Sequence, residues 1–274
     1  MSIDLNCSKK YQYRNMSDST IRSGFGSSQI EFRINEEFHN QLSGCTLVSG
    51  FYGIGKCGFI SVNHMVEKLG ATKIGAILTD FLPPFLSVRD ERLVLPFEIY
   101  KHQDVVFITA YFEPYKYEHR SFAHAIVKWA KSNDMSHAIL IGGLDSRLKT
   151  DDEVLAKGVY SSMFKKKFQD MPVPIMDEGL FITGPMALVL MYAELEDFPA
   201  MGIMPYAERS RPDPIAASHA VEIVNDLLQT DIGVEELVQE AESIETELQT
   251  MQGLIEEDNQ GQEEEPRRDS GMFM

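Results

Sequence analysis

Long apolar runs are absent from this 274-residue chain. No stretch of about 18 or more apolar residues occurs, so a membrane-spanning helix is not expected. The first residues, Met1-Ser2-Ile3-Asp4-Leu5-Asn6, are polar and form no signal-peptide core. Cysteine is scarce: Cys7, Cys45 and Cys57 have no metal-ligand spacing and, being three, cannot all pair. A reducing cytoplasm is the expected setting. Positive charge is missing from one long segment. Pro212 to Pro266 holds 16 acids and no Lys or Arg, whereas up to Arg211 the chain has 25 acids against 23 Lys and Arg, a net of −2. The overall −17 therefore belongs to the C-terminal segment. No basic patch stands out, which argues against a nucleic-acid partner. An acidic segment of this kind is a solubilising arm or a contact for a basic protein partner.

Catalytic signatures are missing too. There is no Gly-x-Ser-x-Gly elbow and no His-Glu-x-x-His. His119 and His124 stand five apart, not the four of a helical metal pair. Asp177 and Glu178 are neighbours, which on a strand would point to opposite faces. The expectation is a protein without a catalytic residue set, metal or cofactor; a set assembled from distant positions stays open.

What is present begins with 43% hydrophobic residues, enough for a sizeable core. The chain is organised around Cys45 to Gly75. An apolar run ends at Ser49, a glycine-dense turn follows, and Ile60, Met65, Val66 and Leu69 then mark one helical face stopped by Gly70. Lys73 to Asp80 is strand-like. The pattern is a βαβ unit whose second strand runs parallel to the first.

The turn nearly fits two phosphate-binding signatures. Gly50, Gly55 and Lys56 have P-loop spacing, but Cys57 stands where a Ser or Thr is needed. Gly53, Gly55 and Gly58 fit the dinucleotide fingerprint, with Asp80 near the place of a ribose-binding acid. A nucleotide- or phosphate-binding α/β enzyme is one reading, since a helix N-terminus behind glycines suits an anion. The plainer reading is that the glycines let a strand turn sharply into a helix packed close on the sheet. On that reading Gly53 is expected to need positive backbone angles.

Along the chain, residues 1–25 are a polar extension and residues 26–230 an α/β domain. Ile30 to Ile34 alternates as a half-exposed strand does. Strands are expected over Phe85–Val88, Leu93–Tyr100 and Val105–Phe112, the last two joined at His102-Gln103-Asp104. Helix follows over Glu118–Ser132, and a buried strand over Ala138–Ile141. Further strands are expected over Val159–Met163, Gly179–Thr183 and Ala200–Met204. Lys165 to Lys167 belong to a solvated helix, and Pro185–Leu195 to a mostly buried one. Asp213 as N-cap and Pro214 at the first helical position open a helix that stops near Thr230.

Residues 231–255 carry a heptad seam. Val234, Leu237, Ala241, Ile244, Leu248, Met251 and Ile255 follow 3, 4, 3, 4, 3, 4 spacing. This is either an amphipathic helix packed on its own domain or one that meets other subunits or a basic partner; Glu240, Glu245 and Glu247 beside the seam oppose simple self-pairing. Residues 256–274 form an acidic, expectedly disordered tail, Glu256 to Gly271, ending in the apolar Met272-Phe273-Met274.

Gly50-Phe51-Tyr52-Gly53-Ile54-Gly55 with Gly58 resembles the opening signature of the proteasome assembly chaperone family of the second type, in its archaeal form. Further matching stretches follow in order: Glu67-Lys68-Leu69-Gly70-Ala71, Leu82-Pro83-Pro84-Phe85 with Val88-Arg89-Asp90, Gly142-Gly143-Leu144, and Pro212-Asp213-Pro214-Ile215-Ala216-Ala217. The resemblance spans Leu42 to Ile255; Lys56 and Cys57 depart from the apolar residues usual there. It implies a three-layer α/β/α sandwich of the nucleoside-phosphorylase type around a mostly parallel, mixed sheet. It also implies a non-enzymatic chaperone that binds proteasome α-subunits or α-rings as a homo-oligomer, with or without a sister chaperone. The end of the chain resembles the hydrophobic-Tyr-any ending by which proteasome partners dock between α-subunits. Met272 would supply the hydrophobic residue, Phe273 the aromatic one and Met274 the carboxylate.

Overall fold

The structure is a computed structural model that describes residues 28–84, 86–89 and 91–239. The extension expected over residues 1–25, the seam from Ala241 to Ile255 and the tip Met272 to Met274 lie outside the described residues. The elements in chain order are β1 (Ile30–Ile34), β2 (Thr46–Gly50), α1 (Cys57–Lys68), β3 (Thr72–Thr79), β4 (Ser87–Arg89), β5 (Arg92–Val94), β6 (Phe97–His102) and β7 (Val105–Ala110). Then come α2 (His119–Ser132), β8 (His137–Ile141), β9 (Leu144–Asp145), β10 (Ala156–Tyr160), α3 (Ser162–Lys167), α4 (Pro185–Leu195), β11 (Ala200–Ala207), α5 (Pro214–Leu228) and α6 (Glu235–Gln239).

Nine strands form one mixed sheet in the order β1-β3-β6-β7-β2-β8-β11-β10, with β9 pairing β11 beyond it; β4 and β5 make a separate hairpin. β7, β2, β8 and β11 are the parallel centre. β1, β3 and β6 continue it antiparallel on one side, and β10 closes the other edge antiparallel. All five residues of β2 are buried, as a central strand covered on both faces requires. β1, at the edge, alternates half-buried and exposed residues, the period-2 pattern seen in its sequence.

Two hydrophobic cores lie on the two faces of the sheet. α1, α5 and α6 cover one, through Val62, Met65, Val221, Val224 and Leu237. α2 and α4 cover the other, through Phe122, Ile126, Val189 and Ala193. The result is the three-layer α/β/α arrangement.

Local chemistry sets the ends. Asp213 caps α5, its Oδ1 accepting from the Ala216 amide at 2.9 Å, with Pro214 in the first turn. Gln229 ends that helix in the left-handed conformation at φ 53°. Gln103, also left-handed at φ 47°, turns β6 into β7.

Four expectations are corrected. The strand expected over Val159–Met163 begins earlier and ends at Tyr160, because Ser161 caps α3 by accepting from the Phe164 amide at 3.2 Å. Gly179–Thr183 forms no strand; the outer edge of β10 is met instead by Pro174 to Met176, around an isolated bridge from Gly158 to Ile175. Leu93–Tyr100 is two strands broken at Leu95 and Pro96, and the first of them pairs with β4, which begins at Ser87 and not at Phe85. α4 has the expected bounds but is not mostly buried: Met191 and Leu195 are 57% and 73% exposed.

Candidate functional site

The glycine turn sits at the carboxyl end of β2 and leads through a short 3₁₀ turn, Ile54–Lys56, into α1. It is a packed joint. A Cβ on Gly50 would lie 2.2 Å from the Gly58 carbonyl oxygen, and one on Gly58 would lie 2.3 Å from that of Ile141. The neighbouring Gly143 meets the Ile54 carbonyl at 2.3 Å in the same sense. The glycines therefore let α1 enter close against β2 and β8, with backbone where side chains would stand.

Positive backbone angles fall on Gly55 (φ 61°) and Lys56 (φ 50°). Gly53 is extended at φ −165°, and nothing lies within 4 Å of a Cβ built there, so its expected left-handed role is corrected. Asp213, at the start of α5 on the same face of the sheet as α1, fastens the joint. Its amide donates to the Gly55 carbonyl at 2.8 Å, while its carboxylate accepts from Ala216 and Glu208. Cys57 lies fully buried beneath it; burial first, then the Asp213 charge, push its thiol pKa well up, so it stays protonated. The Lys56 ammonium lies over the Tyr52 ring at 5.5 Å from its centroid.

Asp80 does not join this turn. β3 runs in the direction of β2, as the βαβ pattern implied, but β6 and β7 lie between them. Three inter-strand spacings are about 14 Å. The Asp80 carboxylate instead accepts from the Gln29 amide at 2.7 Å.

His119, His124 and Asp177, also singled out in the sequence, are held in structural contacts. His119 Nε2 is 2.6 Å from the Pro114 carbonyl oxygen. His124 stacks on Tyr192 and reaches Glu196 at 3.2 Å. Asp177 pairs with Lys157 at 3.0 Å, and it lies in a loop, not on a strand. Among the described residues no cluster of three His, Cys, Asp or Glu side chains is placed to hold a metal. None of their helices is long and apolar enough to cross a membrane.

Two polar features escaped the sequence reading. Glu98 is wholly buried on β6 and accepts from Lys73, Arg92, Tyr100 and the Leu95 amide. Burial alone would raise its pKa, but the hydrogen bonds from Lys73, Tyr100 and Leu95 outweigh it and hold the carboxyl below the usual range. Arg92 belongs to β5, so this carboxylate ties the β4–β5 hairpin to the sheet. A single acid inside the apolar Phe97-Glu98-Ile99-Tyr100 was the available signal. Asp145, beside β11, accepts a bidentate pair from the Arg147 side chain, at 2.9 and 2.6 Å, and another bond from the Arg147 amide. These contacts lower its pKa to about 2.

Of the heptad seam, Val234 and Leu237 are described. Leu237, 2% exposed, enters the core beneath α5, and Val234 packs against it. Glu236 pairs with Lys68 at the end of α1. The seam thus begins on its own domain.

Residues 47–252 match the PAC2 family. The chain belongs to the PAC2 family. Two uncharacterized Methanocaldococcus jannaschii proteins are similar to it. One is 23% identical over 78% of this chain and 87% of its own length, the other 25% identical over 79% and 86%. The fold is similar to that of Pyrococcus furiosus PbaA, described as an archaeal homolog of proteasome-assembly chaperone. PbaA aligns with a TM-score of 0.74 and 25% identity over 84% of this chain and 99% of its own. P. furiosus PbaB, described as an archaeal proteasome activator, shares the fold with a TM-score of 0.62 at 18% identity, over 83% and 100% of the two chains.

Proposed function

We propose that this PAC2 protein is a proteasome-assembly chaperone that binds proteasome α-subunits or α-rings, works as a homo-oligomer, and engages them in part through Met272, Phe273 and Met274. The observation that carries this reading is the likeness to PbaA, which extends over 99% of that chain at 25% identity. The described residues support a binding role over catalysis. At Gly50, Gly55 and Gly58 the space beside the glycine turn is taken by backbone and by neighbours that include Asp213, and His119, His124 and Asp177 are engaged in structural contacts. The body is near neutral and the acidity lies in the C-terminal segment, so the folded domain and the terminal tip act as separate contact surfaces joined by a polar tether.

The test is a pull-down of recombinant proteasome α-subunits by the intact chain, with thermal-shift runs against ATP, GTP, NAD and phosphate alongside. Capture of α-subunits with no shift by any of the four is expected. A ligand at about 100 times its dissociation constant stabilises by about 2.7 kcal/mol. A shift of that size without α-subunit capture would replace the chaperone reading with the nucleotide-binding one.

A further inference from the structure

Three aromatic rings meet on the surface beside the carboxyl end of β3. Phe81, two residues past that strand, is 50% exposed, and Tyr117, two residues before α2, is 62% exposed. Their rings meet edge to face at 4.8 Å, and Tyr115 stacks on Tyr117 at 5.4 Å. A single exposed apolar side chain is ordinary, but rings in mutual contact make a surface that another apolar group can cover.

The N-terminal segment emerges against these rings. Glu118, wholly buried next to Tyr117, accepts from the Thr79 hydroxyl at 3.0 Å. Its other oxygen accepts both from the Phe81 amide, at 3.3 Å, and from the Ser28 hydroxyl. The Gln29 amide donates to Asp80, the neighbour of Phe81, at 2.7 Å. Ser28 and Phe81 thus share one acceptor atom, and the chain before Ser28 sets out from beside the rings. Phe25 comes three residues earlier. Three residues span at most about 10 Å, so covalent geometry confines Phe25 to that distance from Ser28. A short tether of this kind holds an apolar side chain at high local concentration over the surface. The chain after Gln239 has no such confinement, since it leaves from α6 on the face opposite α2.

We propose that the N-terminal segment folds back as a strap, with Phe25 packed on the Phe81 and Tyr117 rings and Ser28 and Gln29 as the anchor that aims it. The contact lies within one chain. It depends neither on assembly nor on the C-terminal tip, and its release uncovers the three rings to other molecules.

The experiment is limited trypsin digestion of the full chain, with the sites of cleavage read by mass spectrometry. The single tryptophan, Trp129, stacks on Phe32 at 4.6 Å, so its emission reports whether each variant is folded. Arg22 lies three residues before Phe25, whereas Arg14 lies well outside the strap. Wild type is expected to be cut after Arg22 about tenfold or more slowly than after Arg14, the factor that burial of one Phe side chain supplies. Phe25→Asp and Tyr117→Ser should each bring the Arg22 rate up toward that of Arg14 at unchanged Trp129 emission, and Phe25→Leu should keep the protection. Phe25→Asp should also raise the fluorescence of an added anilinonaphthalene sulfonate dye, because the rings are then open to it. Equal cleavage at Arg22 and Arg14 in wild type, or no response to Phe25→Asp, would overturn the proposal. Protection that falls on dilution would overturn it too, since a second copy would then be covering the rings. None of these readouts involves α-subunit capture, so failure of the strap and failure of the chaperone reading are distinguishable.

Discussion

Gly50 and Gly58 meet backbone to backbone, close enough that a methyl group on Gly50 would overlap the Gly58 carbonyl oxygen. The carboxyl end of β2 and the first turn of α1 are thereby locked together. Gly50→Ala and Gly58→Ala should each cost at least the 1 to 3 kcal/mol typical of overpacking, or about that range as a minimum. Gly53→Ala, with open space around it, should stay within about 0.5 kcal/mol of wild type. Urea denaturation of the three variants checks the contrast; equal losses at Gly50 and Gly53 would contradict the packed-joint account.

Asp213 ties three elements together, so its loss should be felt beyond α5. Asp213→Ala removes the cap on Ala216 and the acceptor for Glu208, and should cost about 1 to 2 kcal/mol. Amide hydrogen exchange should speed up in the first turn of α5 and also at residues 208–212.

Glu98 is buried with Lys73 and Arg92 as its cationic partners. Removing one member of a buried ion pair typically costs about 3 to 5 kcal/mol. Arg92→Met should cost less than Glu98→Ala, since Lys73 remains to pair the carboxylate, and proteolysis should then cut first in the β4–β5 hairpin. The depressed pKa of Glu98 adds a pH dependence. This stability is fully present above the ordinary carboxylate range and is lost as pH falls through the lowered folded value.

Asp145 should titrate near 2 in the folded chain, held there chiefly by the Arg147 side chain. Arg147→Ala should move its pKa up toward the ordinary value of about 3.9, as read from the carboxylate carbon shift by NMR. Its contribution, like that of Glu98, is lost only on acidification, here as pH falls from about 4 toward 2.

Much of this architecture was legible from local chemistry. The alternation of Ile30 to Ile34, the Asp213-Pro214 start and the apolar face of Phe122, Ile126 and Trp129 each act within a few residues. What local chemistry does not encode is who pairs with whom. Nothing in Lys73 to Asp80 reveals that β6 and β7 insert between β3 and β2. The apolar character of Leu180 and Ile182 suggested a strand, but Gly179 and Gly184, at φ 86° and 84°, bracket an irregular segment, and Pro174 to Met176 already meet the edge of β10. At the glycine turn, spacing pointed to the close-packed Gly50 and Gly58 but not to which residues bear the left-handed angle. The burial of Glu98 follows from cations on β3 and β5 that come together only in the fold.

The proposed binding of α-rings runs in part through the C-terminal tip. It is tested most directly by surface plasmon resonance of intact chain and a chain lacking Met272 to Met274 over immobilised α-rings. The account predicts markedly weaker binding for the shortened chain at unchanged circular dichroism, with the loss amplified where several tails bind at once. It also predicts equal or tighter binding for Phe273→Tyr, which adds a hydrogen bond worth about 0.5 to 1.5 kcal/mol. Equal binding by the shortened and intact chains would contradict it and move the contact to the folded body.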